Sequence, residues 1–166
     1  MTVQTNPIQV FVIDDHEVVQ QGIAALLSTS HIVIVGQSPS GEQAVEHCRT
    51  LQPDVILLDI RLQNGEDGIS LIKPLREICP NVKIIAFTAF DNPTAIARAA
   101  AAGATDFLLK TTNKDDLCIA IENAAVHSEP PANSKLKSLT ARLSKRSLPP
   151  NIEIPLTPRE FQVLKI

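Results

Sequence analysis

The chain has 166 residues, 44% of them hydrophobic, enough to bury one sizeable core and leave a short further segment. No apolar run is long enough to span a bilayer, residues 1–9 lack a charged-then-apolar secretion signal, and Cys48, Cys79 and Cys118 show no Cys-x-x-Cys spacing. These features exclude a membrane protein and a disulfide scaffold, and predict reduced, buried thiols in a cytoplasmic protein. Residues 1–129 carry 8 Lys/Arg against 16 Asp/Glu, while residues 130–166 carry 7 against 2, so an acidic domain with a separate basic tail is expected.

The first element is Ile8-Gln9-Val10-Phe11-Val12-Ile13, a nearly continuous apolar run that reads as a buried parallel strand and ends in Asp14-Asp15. Val18, Val19, Ile23, Leu26 and Leu27 give a helical stripe over 16–28, with Asp15 placed to cap it. Ile32–Val35 is the second strand. Ser40 is placed to cap a helix over 41–51 with Ala44, Val45, Cys48 and Leu51 inward. A third strand, Asp54-Val55-Ile56-Leu57-Leu58, ends in Asp59. Ile69, Ile72 and Leu75 mark the third helix, which Pro74 is expected to kink or shorten. The fourth strand, Val82–Phe87, ends in Thr88. Pro93 opens the fourth helix and Gly103 fits its C-terminal cap. The fifth strand, Thr105–Leu109, ends in Lys110. Asn113 and Asp116 read as a capping box for a fifth helix with Leu117, Ala120, Ile121 and Ala124 inward.

Strands alternating with helices predict parallel βαβ units with helices on both faces. In such a sheet the carboxyl ends of the strands line one crevice, and ligands bind there. Three carboxylates in that crevice, Asp14, Asp15 and Asp59, repel one another unless a cation sits among them. Oxygen donors of this kind suit Mg²⁺. Asp59 is then a candidate nucleophile for a phosphoryl group, Lys110 a mobile positive charge, and Thr88 a hydroxyl donor to a phosphoryl oxygen. Of the histidines, His16 reads as an exposed residue at a helix start, and His31, His47 and His127 show no metal spacing.

Five segments in this order, Val12-Ile13-Asp14-Asp15-His16, Leu57-Leu58-Asp59-Ile60-Arg61-Leu62, Asp67-Gly68, Phe87-Thr88-Ala89 and Ala102–Lys110, resemble the response-regulator receiver domain of two-component signalling over roughly residues 8–127. The resemblance implies a flavodoxin-like α/β fold with a five-stranded parallel sheet of order 2-1-3-4-5. It implies that Asp59 accepts phosphate from a sensor histidine kinase. It implies Mg²⁺ held by Asp14 (mainly through water), Asp15, Asp59 and the backbone carbonyl of Arg61. It further implies that Lys110 bonds the phosphoryl group while Thr88 and Phe107 rearrange, Phe107 turning inward. The chain is then a phosphoacceptor with slow self-catalysed chemistry rather than an enzyme. Arg61 and Phe90 flank the approach of attacking water and tune phosphate loss. The surface of helix four, strand five and helix five is the expected homodimer face. Three departures stand out. The loop Leu62–Gly68 lacks the usual Pro and is one residue longer, Thr111 follows Lys110 where many relatives carry Pro, and Phe107 replaces a more frequent Tyr.

Residues 1–127 are thus read as the receiver and 128–154 as a basic, Pro-containing linker. Within the linker, Leu136, Leu139 and Leu143 fall at helical spacing. Residues 155–166, with Thr157, Pro158 and Glu160 as a capping box, resemble the opening of a LuxR-type helix-turn-helix domain. The sequence stops inside that first helix, so reading of DNA is expected only in a longer, full-length transcription regulator. The competing reading is a standalone receiver that docks proteins without phosphorylation. A hydrolase of the haloacid-dehalogenase type would need a second Asp two residues after the nucleophile, where Arg61 stands. A flavin carrier is disfavoured by the absence of Tyr and Trp.

Overall fold

Five parallel strands in the order β2-β1-β3-β4-β5 form one sheet: β1 (Ile8–Ile13), β2 (Ile32–Ser38), β3 (Val55–Leu58), β4 (Lys83–Thr88) and β5 (Asp106–Leu109). The helices are α1 (Glu17–Leu27), α2 (Gly41–Leu51), α3 (Ile72–Ile78), α4 (Pro93–Ala102) and α5 (Lys114–Val126). This computed structural model describes residues 6–28 and 30–127. The expected linker, its Leu136–Leu143 stripe and the Thr157 capping box lie outside the described residues.

The strands are apolar throughout because both faces of the sheet are covered. Phe11, Ile13, Ile56, Leu58, Ile84, Ala86 and Phe107 point to one face and pack with Ala44, Cys48, Ile72, Leu75, Ile96 and Ala99 of α2, α3 and α4. Val10, Val12, Val55, Leu57, Ile85 and Phe87 point to the other, against Ile23 and Leu27 of α1 and Leu117, Ala120, Ile121 and Ala124 of α5. The period of two along each strand and of 3.6 along each helix puts every one of these residues inside. Cys48 and Cys79 are fully enclosed. Burial, then the neighbouring Cys79, pushes the Cys48 thiol up to about 12, so both thiols act here as small apolar side chains.

Several local expectations need correction. Val18 is 81% exposed: at about 100° per residue it lies on the opposite side of α1 from Leu27. Leu51, at the end of α2, is more than a third exposed and lies over the edge strand beside Gly36. The N-cap position of α1 is His16, not Asp15, and Asp14 Oδ1 accepts the His16 N–H at 2.8 Å. Ser40 occupies the N-cap position of α2 but gives no capping hydrogen bond. The Gly41 N–H points instead to Glu66 Oε2, at 3.3 Å.

Other expectations stand. Pro74 falls in the first turn of α3, which is only seven residues long and follows a 3₁₀ turn over Gly68–Leu71. Asn113 accepts the Asp116 N–H at the head of α5, and Gly103 closes α4 at φ 107°. Asn92, which the sequence did not single out, caps α4 through Thr94 N–H at 2.9 Å.

Candidate functional site

The parallel order carries the ends of β1, β3, β4 and β5 to one edge of the sheet. β1 and β3 are neighbours with Ile13 opposite Leu58, so the residues that follow them, Asp14 and Asp59, emerge side by side. Both are buried, at 1% and 3% exposure. Two strands away, Lys110 follows β5, and its N–H donates to the Thr88 carbonyl at 2.7 Å. The lysine side chain reaches back across β4. Its Nζ lies 2.8 Å from Asp59 Oδ2, as a hydrogen bond, and 2.6 Å from Asp14 Oδ2, as a charge contact.

Burial pushes the Asp59 carboxyl above the usual carboxylate range, against the pull of the Lys110 hydrogen bond and the Arg61 N–H. Burial also draws Lys110 down. Its hydrogen bonds and charge contacts with Asp14 and Asp59 outweigh that, and its net displacement is upward.

Asp14 Oδ2 and Asp15 Oδ1 are buried. Asp14 Oδ2 faces Lys110 Nζ at 2.6 Å, and His16 Nδ1 lies 3.0 Å from Asp15 Oδ1 and 3.2 Å from Asp14 Oδ1. One ligand atom from each of Asp14, Asp15, His16 and Asp59 fits within a sphere of mutual separations below 4.8 Å. Carboxylate oxygens clustered this closely, with Asp15 Oδ1 buried and lacking a hydrogen bond, are what a hard divalent cation satisfies, so the residues present fit Mg²⁺. Among the described residues this is the only such group, and His31, His47 and His127 take no part in one.

Arg61 contributes its backbone and its side chain in opposite directions. The loop after Asp59 is a miniature hairpin: Gly68 N–H donates to the Ile60 carbonyl and Leu62 N–H to the Glu66 carbonyl, both at 3.0 Å, with Arg61 opposite Asp67. Its tip turns through Asn64 (φ 60°) and Gly65 (φ 75°). In that pattern Arg61 is a non-hydrogen-bonded pair member, so its N–H and carbonyl both face away from Asp67. The N–H donates to Asp59 Oδ1 at 3.1 Å, and in such a pair the carbonyl lies on the same edge as the N–H. The guanidinium turns outward and lies 4.7 Å from the Phe90 ring centroid. Gly68 makes the hairpin fit: a Cβ there would come within 1.9 Å of the Asp59 carbonyl oxygen.

Thr88, at the end of β4, is 1% exposed, and its Oγ1 has no hydrogen-bond partner among the described residues. The Phe107 ring is fully buried, in the cluster that holds Ile96, Ala99 and Ala104. Sequence reasoning also missed the His16 contact, Gln20 Nε2 donating to the Asp14 carbonyl at 2.5 Å, and the roles of Glu66 and Arg98. Hydrophobic periodicity carries no signal for such contacts.

A sheet of order 2-1-3-4-5 with acids and a lysine at its carboxyl edge defines a flavodoxin-like α/β module. Residues 10–122 match the response regulator receiver domain, and the chain belongs to that family. It is 33% identical over 159 residues to the response regulator protein VraR of Staphylococcus saprophyticus, covering 95% of this chain and 74% of the relative. The signal receiver domain of the putative response regulator NarL from Mycobacterium tuberculosis superposes with a TM-score of 0.69 at 30% identity, over 74% of this chain and 98% of that one. A LuxR-family two-component regulator from Aurantimonas shares the fold, with a TM-score of 0.72 at 22% identity, over 82% and 97% of the two chains. The chain is therefore a two-component response regulator of the NarL/LuxR type. Among the described residues no helix is long and apolar enough to cross a membrane.

Proposed function

We propose that Asp59 accepts a phosphoryl group from the phosphohistidine of a sensor histidine kinase, and that this state controls a transcriptional output. One observation carries the reading: the buried Asp59 carboxylate has one oxygen on Lys110 and the other on the Arg61 N–H, beside the buried Asp14 and the half-buried Asp15. Asp14, Asp15, Asp59 and the Arg61 carbonyl would hold Mg²⁺, which when bound offsets the charge on the transferring phosphoryl group. An Asp59 oxygen attacks phosphorus in line. The new O–P bond forms as the P–N bond breaks, and the electron pair leaves with the imidazole. Lys110 then neutralises phosphoryl charge, and the unpartnered Thr88 hydroxyl donates to a phosphoryl oxygen. The chain turns over no separate substrate, so it is a phosphoacceptor rather than an enzyme.

In this reading the movement of Thr88 alters the packing round the Phe107 ring and the surface of α4, β5 and α5, the proposed homodimer face. The Arg61 and Phe90 side chains flank the approach of water to the acyl phosphate. Residues 1–127 act as receiver, 128–154 as linker and 155–166 as the opening of a DNA-binding domain. DNA contact would be the work of such a DNA-binding domain, in the cytoplasm. A second reading, docking that does not depend on phosphorylation, draws on the inward position that Phe107 already occupies.

Transfer of radiolabel from a phosphorylated histidine kinase tests the proposal. Label that hydroxylamine removes, and that maps to the peptide holding Asp59, is the expected result. Label on His16, or none, would overturn it.

A further inference from the structure

The hairpin that aims the Arg61 peptide at the acidic cluster is fastened at two points that the proposed chemistry does not use. Glu66 reaches α2: its Oε2 accepts the Gly41 N–H, 25 residues upstream, at the helix end that Ser40 leaves without a side-chain cap. The two residues are fitted to each other, since a Cβ on Gly41 would lie 2.2 Å from Glu66 Oε1. Asp67 reaches α4. Its Oδ1 accepts the Ile69 N–H at 3.0 Å, and its Oδ2 pairs with the Arg98 guanidinium. Glu66 and Asp67 are consecutive on the returning strand of the hairpin, directly across from Leu62 and Arg61. One strand of the hairpin faces the acidic cluster, and the other is moored to a helix on each side.

The mooring matters because a loop peptide is a poor ligand unless it is held. The Arg61 carbonyl is aimed only while both hairpin rungs, at Gly68–Ile60 and Leu62–Glu66, are intact. The tip is an Asn64-Gly65 turn at positive φ, closed by the Glu66 N–H on the Gln63 carbonyl at 3.2 Å, and it does not by itself fix the hairpin against the helices. Outer contacts that fix a ligand's direction contribute to metal affinity without touching the metal.

We propose that Glu66 and Arg98 are positioning residues for the divalent-cation site, holding the Arg61 peptide in place through the Gly41 and Asp67 contacts. This rests on the reading of the acidic cluster as a Mg²⁺ site. Neither side chain touches the cluster, so neither is a ligand. Their effect passes through the hairpin.

The test is calorimetric titration of the whole chain with Mg²⁺, for wild type, Arg98→Met, Arg98→Lys, Glu66→Ala and Glu66→Gln, beside thermal melts without the metal. Arg98→Met and Glu66→Ala are expected to weaken Mg²⁺ binding by on the order of tenfold, the lower end for outer-shell partners. Arg98→Lys and Glu66→Gln, which keep a cation and an acceptor, are expected to recover most of it. Melting temperatures close to wild type, with the affinity loss intact, separate positioning from a general loss of structure. Affinity unchanged in Arg98→Met and Glu66→Ala, in a wild type that binds Mg²⁺, would overturn the positioning role alone. A wild type that binds no Mg²⁺ would overturn it together with the reading beneath it.

Discussion

Lys110 Nζ donates to Asp59 Oδ2 at 2.8 Å, spanning from the end of β5 to the end of β3 over the intervening β4. Its other close partner is Asp14, so a single ammonium holds two buried carboxylates. Replacing it by Met leaves those carboxylates facing each other uncompensated. Lys110 keeps 13% of its side chain exposed, so the loss is expected at about 2–3 kcal/mol, just under the range for breaking a buried pair. Mg²⁺ is expected to restore more stability to Lys110→Met than it adds to wild type, because the cation replaces the missing charge. Denaturant unfolding with and without Mg²⁺ measures this, and an equal response in both proteins would contradict it.

Asp59 sets a pH dependence whose sign follows from its environment. Burial raises its folded pKa above the unfolded value. A group of that kind contributes stability that is fully present below the unfolded pKa and is lost as pH rises through the folded one. Above the unfolded value and without divalent cation, Asp59 therefore costs stability, and Asp59→Asn is expected to melt above wild type. The gap narrows as pH falls toward the ordinary carboxylate value. Melting curves across the acid range test the sign, and a gap that widens on acidification would be the wrong one.

Gly68→Ala is expected to cost about 1–3 kcal/mol, the usual range for forcing atoms into filled space. The backbone at the Asp59 carbonyl cannot yield as a side-chain end does. Because the same shift opens the hairpin rung at Ile60, Mg²⁺ affinity is expected to fall with stability. Unfolding and titration of one preparation measure both, and a variant that loses neither would contradict the close approach.

Phe90 is 56% exposed yet anchors the Arg61 guanidinium at 4.7 Å. Phe90→Ala removes that anchor and opens the water path, so loss of phosphate from Asp59 is expected to quicken while the rate of its gain is unchanged. Decay of the phosphorylated chain, followed by mass, reads this out. An unchanged decay would remove Phe90 and Arg61 from any role in hydrolysis.

The strands and the gathering of Asp14, Asp15, Asp59 and Lys110 were legible because these groups stand at the ends of apolar runs, while the strand order followed only from the resemblance to the receiver domain. A parallel sheet necessarily brings such ends together. Helix phase was less legible. Val18 shares hydrophobicity with Val19, but only Val19 lies on the inward arc of α1. Ser40 has the chemistry of a cap, yet a glutamate 25 residues away takes the Gly41 N–H, and no local pattern encodes a contact of that range. The state of Phe107 was illegible for another reason. Burial of a ring at a strand end is a property of the conformation adopted, which hydrophobic periodicity does not specify.

The most direct test of the central claim is intact mass after incubation with acetyl phosphate, with and without Mg²⁺, for wild type and Asp59→Asn. A single phosphoryl adduct on wild type that requires Mg²⁺ and is absent from Asp59→Asn is the predicted result. A folded wild type that gains no adduct with Mg²⁺ present, or an Asp59→Asn protein that gains the same one, would contradict it.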